Sequence, residues 1–177
     1  MVTRRTNRVL SVGYVVLAVA AVLALMWFLV PQVVPAADPA QRTSLQVKRV
    51  IDGDTVVVEL DGADQSVRLI GIDTPETTKG KNECAGKEAT DALRALVDGK
   101  PITLTADESQ TDRDRYDRLL RYLTVDGRDA GEYLLERGLA KEYTYRKSDP
   151  YTHRDQYLAA QDRAHAASEG GWYACQW

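Results

Sequence analysis

The spacing of apolar residues changes character three times along this chain. Val9 to Val30 is apolar throughout and carries no charge. At ~1.5 Å per residue such a helix spans roughly 33 Å, enough to cross the hydrocarbon core of a bilayer. Arg4, Arg5 and Arg8 precede it, so residues 1–8 are expected on the cytoplasmic side. Two readings of residues 9–30 stand side by side. One is an uncleaved transmembrane signal-anchor. The other is a signal peptide, for which Val34-Pro35-Ala36-Ala37 supplies small residues at a cleavage site. A buried soluble helix is the third, plainest option. Pro31, Pro35 and Pro39 mark residues 31–44 as an extended linker.

From Leu45 the period becomes two. LQVKRVI, TVVVEL and SVRLIGI alternate and are separated by Asp52-Gly53-Asp54 and Asp61-Gly62-Ala63-Asp64, which predicts an antiparallel meander. Arg68, Ile70 and Ile72 are expected on one face of the third strand. Glu83 to Val97 then shows a helical period, with Ala85, Ala89, Leu93 and Leu96 in register. PITLTA and RLLRYLTV read as a fourth and fifth strand. Ala130–Arg137 and Asp155–Ser168 read as two more helices, stopped by Gly138 and by Gly170-Gly171. Five strands with a helix between the third and fourth predict an α+β domain over 45–177, mainly β. Its core would be a closed five-stranded barrel of the OB type with three helices, preceded by the transmembrane segment. Closure would also remove exposed strand edges.

Charge narrows the chemistry. The formal net charge is −3; the first 37 residues hold three arginines and no acid, so the remainder carries −6. Bulk positive charge therefore cannot hold nucleic acid here, and any nucleic-acid chemistry would rest on a local cationic site helped by a bound metal ion. The two histidines, His153 and His165, and the two cysteines, Cys84 and Cys175, do not have zinc spacing. Outside the cytoplasm the cysteines could form a disulfide, and otherwise they are two thiols.

Three clusters and a pair of tyrosines could carry chemistry. Asp52-Gly53-Asp54-Thr55 is either an acidic turn or a metal-directed carboxylate at a strand start. Asp73-Thr74-Pro75-Glu76 holds two carboxylates on a loop stiffened by Pro75. Two nearby carboxylates need a cation or an arginine between them, and oxygen-only donors suit calcium or magnesium. Asp112 to Arg118 is either a solvated charge run or a loop that delivers Arg118 to the fifth strand, where its fork can grip phosphate. Tyr143 and Tyr145 are either edge packing or rings on which a base stacks.

IDGDTV, VRLIGIDTPE, TDRDRYDRLLRYL and RGLAKEYTY, taken together and in order, resemble the thermonuclease (staphylococcal-nuclease-like) family over Leu45 to Trp172. The resemblance implies an OB-fold barrel with three helices and calcium-dependent cleavage of DNA and RNA, with 3′-phosphate products. It implies Ca2+ on Asp54, Asp73 and the carbonyl of Thr74, whose side chain is then expected to tolerate change. It implies catalysis by Arg68, Glu76 and Arg118, and nucleotide contacts from Arg115, Tyr116 and Tyr143. It also implies a disulfide between Cys84 and Cys175. Asp117 departs from the glycine of the best-known members, and is expected either to pair with Arg118 or to weaken its grip on phosphate. The enzyme implied is an extracytoplasmic monomer, anchored in the membrane or secreted. A catalytically dead barrel serving as a binding module is the alternative. A membrane-tethered structural protein would leave the four motifs unexplained.

Overall fold

The structure is a computed structural model, and it describes residues 45–77 and 80–177. The readings for residues 1–44, including the membrane segment and linker, lie outside the described residues. Among those described, no helix is long and apolar enough to cross a membrane.

Three strands open the domain: β1 (Val47–Val50), β2 (Thr55–Leu60) and β3 (Ala63–Leu69). They form the expected antiparallel meander, with an irregularity in register between Val47 and Arg49. A two-residue strand β4 (Ile72–Asp73) follows, then helix α1 (Gly86–Val97), β5 (Ile102–Thr105) and β6 (Leu119–Val125). The chain continues through β7 (Arg128–Asp129), α2 (Ala130–Glu136), β8 (Lys141–Glu142), α3 (Arg154–Ala166) and α4 (Gly171–Ala174). The main sheet runs β1-β2-β3-β6-β5, with β7 paired to β6. It curls into a half-barrel in which the Ile102 N–H donates to the Leu45 carbonyl at 2.8 Å, but β1 and β5 do not pair, so the expected closed five-stranded barrel is not completed among the described strands. This is a mixed α+β fold of the OB-like kind.

Local chemistry explains the turns. The β2–β3 and β6–β7 hairpins close on Asp61-Gly62 and Asp126-Gly127, with positive φ at both residues of each pair. That geometry matches the right-handed twist of the flanking strands and selects Asp-Gly. Val56, Val58, Val67, Leu69, Leu123 and Val125 turn inward from the sheet, and α1 covers them with Ala89, Leu93 and Val97.

The third strand begins and ends three residues earlier than its apolar pattern predicts, at Ala63 and Leu69. SVRLIGI breaks after Leu69, and Gly71 adopts φ +80 directly beneath the Tyr151 ring. A Cβ at Gly71 would sit 2.5 Å from that ring, so only glycine fits. The break turns Ile72-Asp73 away from the main sheet to pair with Lys141-Glu142. Ile70 and Ile72 are buried, but they do not continue one strand face from Arg68. Helix α1 also starts later than expected, because Ala85 takes a left-handed conformation (φ 68) just before it. The short α4 has too few residues to show a helical period.

Two features staple the domain. The Cys84–Cys175 disulfide ties the entrance of α1 to the C-terminal turn across 91 residues of sequence. Replacing Cys84 with Ser is expected to cost ~2–5 kcal/mol, read as a lower thermal midpoint that reductant does not lower further. The second staple is the buried Asp107. Its carboxylate accepts from the Tyr122 hydroxyl, from Thr152 N (2.7 Å) and Oγ1 (3.0 Å), and from Ser109 N (2.9 Å) and Oγ (2.8 Å). Burial favours the neutral acid, but these donors outweigh it and hold the carboxyl well below the usual range. A depressed folded-state pKa stabilises above the unfolded value near ~4 and loses that contribution as pH falls below it. Asp107→Asn is therefore expected to destabilise by ~2–3 kcal/mol at neutral pH. The gap between the midpoints of the Asp107→Asn variant and the wild type should narrow as the pH is lowered below ~4, which a set of thermal melts checks.

Candidate active site

Strand register assembles the site at one end of the sheet. Antiparallel pairing places Thr55 opposite Arg68, and the Leu69 N–H donates to the Asp54 carbonyl at 2.8 Å. Parallel pairing sets Arg68 opposite Leu120, two residues beyond Arg118. Asp54 thus opens β2, Arg68 stands near the end of β3, and Arg118 immediately precedes β6.

The Arg68 guanidinium is largely buried between carboxylates. Its NH1 touches Asp54 Oδ2 as an ion pair without hydrogen-bond geometry. Its NH2 donates to Asp73 Oδ1 and to the Ile72 carbonyl, both at 3.0 Å. Burial lowers the Arg68 pKa, Asp73 and Asp52 oppose that, and Arg118 adds to it. Asp52 is also buried, and burial raises its carboxyl against the pull of Thr55, Arg68 and Arg118.

Asp54 is held rigidly. Its Oδ2 accepts from Thr74 N at 3.0 Å and from Thr74 Oγ1 at 3.2 Å, while Oδ1 accepts from Thr55 Oγ1 at 2.9 Å. The Thr74 side chain is thus a structural partner of Asp54. This corrects the expectation that only its carbonyl matters. Asp73 is exposed, with 62% of its side-chain surface accessible, so it meets solvent while Asp54 does not.

Arg118 is bound by Asp114, not by Asp117. Its Nε and NH2 both lie 2.7 Å from Asp114 Oδ2, and its NH1 reaches Thr55 Oγ1 at 3.4 Å. Burial of Asp114 favours its acid form, but the Arg118 and Tyr116 donors prevail and lower its pKa. Asp117 instead turns outward, with Oδ1 3.5 Å from Arg113 NH1. Its φ of +64 accounts for a position where glycine is the easier residue. The expected pairing of Asp117 with Arg118 is therefore not formed.

The predicted nucleotide contacts gather at one cleft of about 590 Å³. Arg68, Asp73, Arg115, Tyr116, Arg118 and Tyr143 all line it. Tyr116 is exposed, with Arg115 4.7 Å and Arg118 5.5 Å from its ring centroid. The Tyr143 N–H is fixed by the Gly71 carbonyl at 3.0 Å. Glu76 is exposed on the loop beyond Asp73 and stands outside that lining; its N–H is held by Glu83 Oε2 at 2.9 Å. Sequence reasoning overlooked Asp114 as a partner of Arg118. The charged run offered several acids for Arg118, and no local signal singled out Asp114.

The donor set suits a hard cation. Asp54 and Asp73 converge on a single positive group, and every donor nearby is oxygen. Among the described residues no three His, Cys, Asp or Glu side chains form a ready-made metal cluster. An ion held here would complete its shell with backbone oxygen and water.

Known proteins resemble this chain over most of its length. The family described as staphylococcal nuclease homologue matches residues 66–174. A thermonuclease of Staphylococcus hyicus is 35% identical over 135 residues, covering 75% of this chain and 78% of its own. A thermonuclease of Staphylococcus intermedius is 32% identical over 151 residues, covering 80% and 86%. Endonuclease YncB of Bacillus subtilis is 35% identical over 136 residues, covering 73% of this chain and 64% of its own. At that identity and coverage the chain belongs to the family of staphylococcal nuclease homologues, and its chemistry is that of a nuclease.

Proposed function

We propose that this nuclease is calcium-dependent, cleaves both DNA and RNA to leave 3′-phosphate ends, and works outside the cytoplasm as a monomer. The observation that carries the reading is the convergence of Arg68 and Arg118 on one cleft beside the Asp54 and Asp73 carboxylates. In a chain with a net negative charge, these arginines supply the local cationic site that a phosphodiester needs.

Asp54, Asp73 and the Thr74 carbonyl would hold Ca2+. When bound, it supplies positive charge against the phosphate oxygens. The protein's own groups do the rest. Glu76 accepts a proton from a water that attacks phosphorus. The bond from phosphorus to the 5′ oxygen breaks, and that oxygen leaves with a proton from solvent. Arg68 and Arg118 neutralise the charge that grows on the phosphoryl oxygens. Arg115 sits where it can reach a neighbouring phosphate, and Tyr116 and Tyr143 offer rings for stacking.

Two features support an extracytoplasmic site of action. One is the Cys84–Cys175 disulfide, a bond that persists in oxidising compartments. The other is the uncharged apolar run from Val9 to Val30, as an anchor or as a signal peptide.

End-group analysis tests the reaction. Labelled DNA and RNA oligonucleotides digested with calcium should both shorten, and their new 3′ ends should become extendable only after phosphatase treatment. Fragments extendable without phosphatase would reject the proposed bond cleavage.

A further inference from the structure

The loop from Asp112 to Arg118 is organised around one side chain. Asp114 Oδ1 accepts from the backbone N–H groups of Tyr116 (2.9 Å) and Arg118 (3.0 Å). Asp114 Oδ2 accepts from Arg118 Nε at 2.7 Å and forms an ion pair with Arg118 NH2 at the same distance. The backbone closes over the same turn, with Asp114 N donating to the Arg118 carbonyl at 3.0 Å and Asp117 N to the Asp114 carbonyl at 3.1 Å. The two carboxylate oxygens therefore have separate jobs. Oδ1 shapes the loop and Oδ2 aims the guanidinium.

We infer that Asp114 is the positioning residue for Arg118, presenting the NH1 side of its guanidinium to the reacting phosphate. Arg118 has competing attractions in Asp52, Asp54 and Asp73, all gathered around Arg68. Without a fixed partner, a flexible arginine would be drawn towards those carboxylates. Asp114 occupies the Nε edge and leaves NH1 directed at Thr55 Oγ1, 3.4 Å away, which itself donates to Asp54. This sets Arg118 beside the Asp54 end of the site before substrate arrives. Pre-set geometry of this kind is where orientation accelerates a reaction, and displacement by about 1 Å can cost ~100-fold. The inference rests on Arg118 acting on the reacting phosphate, as proposed above.

Asparagine separates the two jobs. Its carbonyl oxygen can keep the Oδ1 contacts, while its NH2 group faces the guanidinium and repels it. Full-length Asp114→Asn is expected to lose ~10- to 100-fold in kcat on DNA with calcium, with KM changed by less than about threefold. A purely structural role would lower the amount of active enzyme but add independently to other variants. The telling readout is therefore the double variant. Asp114→Asn combined with Arg118→Ala should be no slower than Arg118→Ala alone, within about twofold. Should Asp114→Asn not fold, Asp114→Glu keeps the charge, displaces it by one methylene, and should show the same non-additivity. Wild-type kcat in the folded Asp114 variant, with Arg118→Ala impaired, would overturn the positioning role alone. Multiplicative losses in the double variant would do the same. Wild-type kcat in Arg118→Ala would instead overturn the reading of Arg118, and the inference with it.

Discussion

Arg68→Ala is expected to slow nucleic-acid cleavage by ~10³-fold or more and also to destabilise the fold. The kinetic loss follows from removing a fixed charge at the place where negative charge develops on phosphate. The stability loss has a separate cause. Arg68 stands against the buried Asp54 and the exposed Asp73, with Asp52 close enough to feel it. Removing one partner of a buried pair leaves an uncompensated charge, at a cost of ~3–5 kcal/mol. In a domain of this size that is a fall of about 10–20 °C in thermal midpoint. Calcium should restore part of the midpoint, because a cation can replace the missing guanidinium charge between Asp54 and Asp73. It should not restore turnover. Melts with and without calcium, paired with initial rates, separate the two roles. A midpoint unchanged from wild type in calcium-free buffer would contradict the charge-balancing role.

Glu76→Gln is expected to reduce turnover by ~10²- to 10⁴-fold while changing the midpoint far less than Arg68→Ala does. Glutamine keeps the shape and polarity of an exposed side chain but cannot accept the water's proton. The backbone of its loop is held through Glu83. Glu76 N is held by the Glu83 carboxylate, and the Glu83 N–H returns to the Glu76 carbonyl at 3.1 Å. Both survive the substitution. The decisive comparison is kcat at saturating calcium. Turnover near that of wild type would transfer the role of base to another group.

The contrast between these two residues shows what was legible in the sequence. Asp54 and Arg68 could be placed because the Asp-Gly turn and strand alternation are local signals. Their mutual contact needs only the meander register that those turns impose. The break at Gly71 could not be read in the same way. Ile70 and Ile72 continue an apolar alternation, and the reason for the break is Tyr151, eighty residues further on. The same applies to Asp107, whose partners Tyr122 and Thr152 belong to different segments. In the run from Asp112 to Arg118, alternating signs permit several pairings equally. Only the turn geometry, with Asp117 in a left-handed conformation, decides that Asp114 and not Asp117 holds Arg118. Thr74 illustrates a subtler gap. Its place in the motif was clear, but its hydroxyl contact to Asp54 depends on how the loop after β4 folds back over β2.

If Asp54, Arg68, Asp73, Glu76 and Arg118 form the proposed calcium-dependent phosphodiesterase site, cleavage must follow calcium. The most direct measurement is the initial rate of DNA cleavage by the purified full-length chain in calcium, in excess EGTA, and after calcium is added back. DNA should be cleaved in calcium, left intact in EGTA and cleaved again once calcium is restored. Equal cleavage in EGTA, or none in calcium from folded protein, would contradict it.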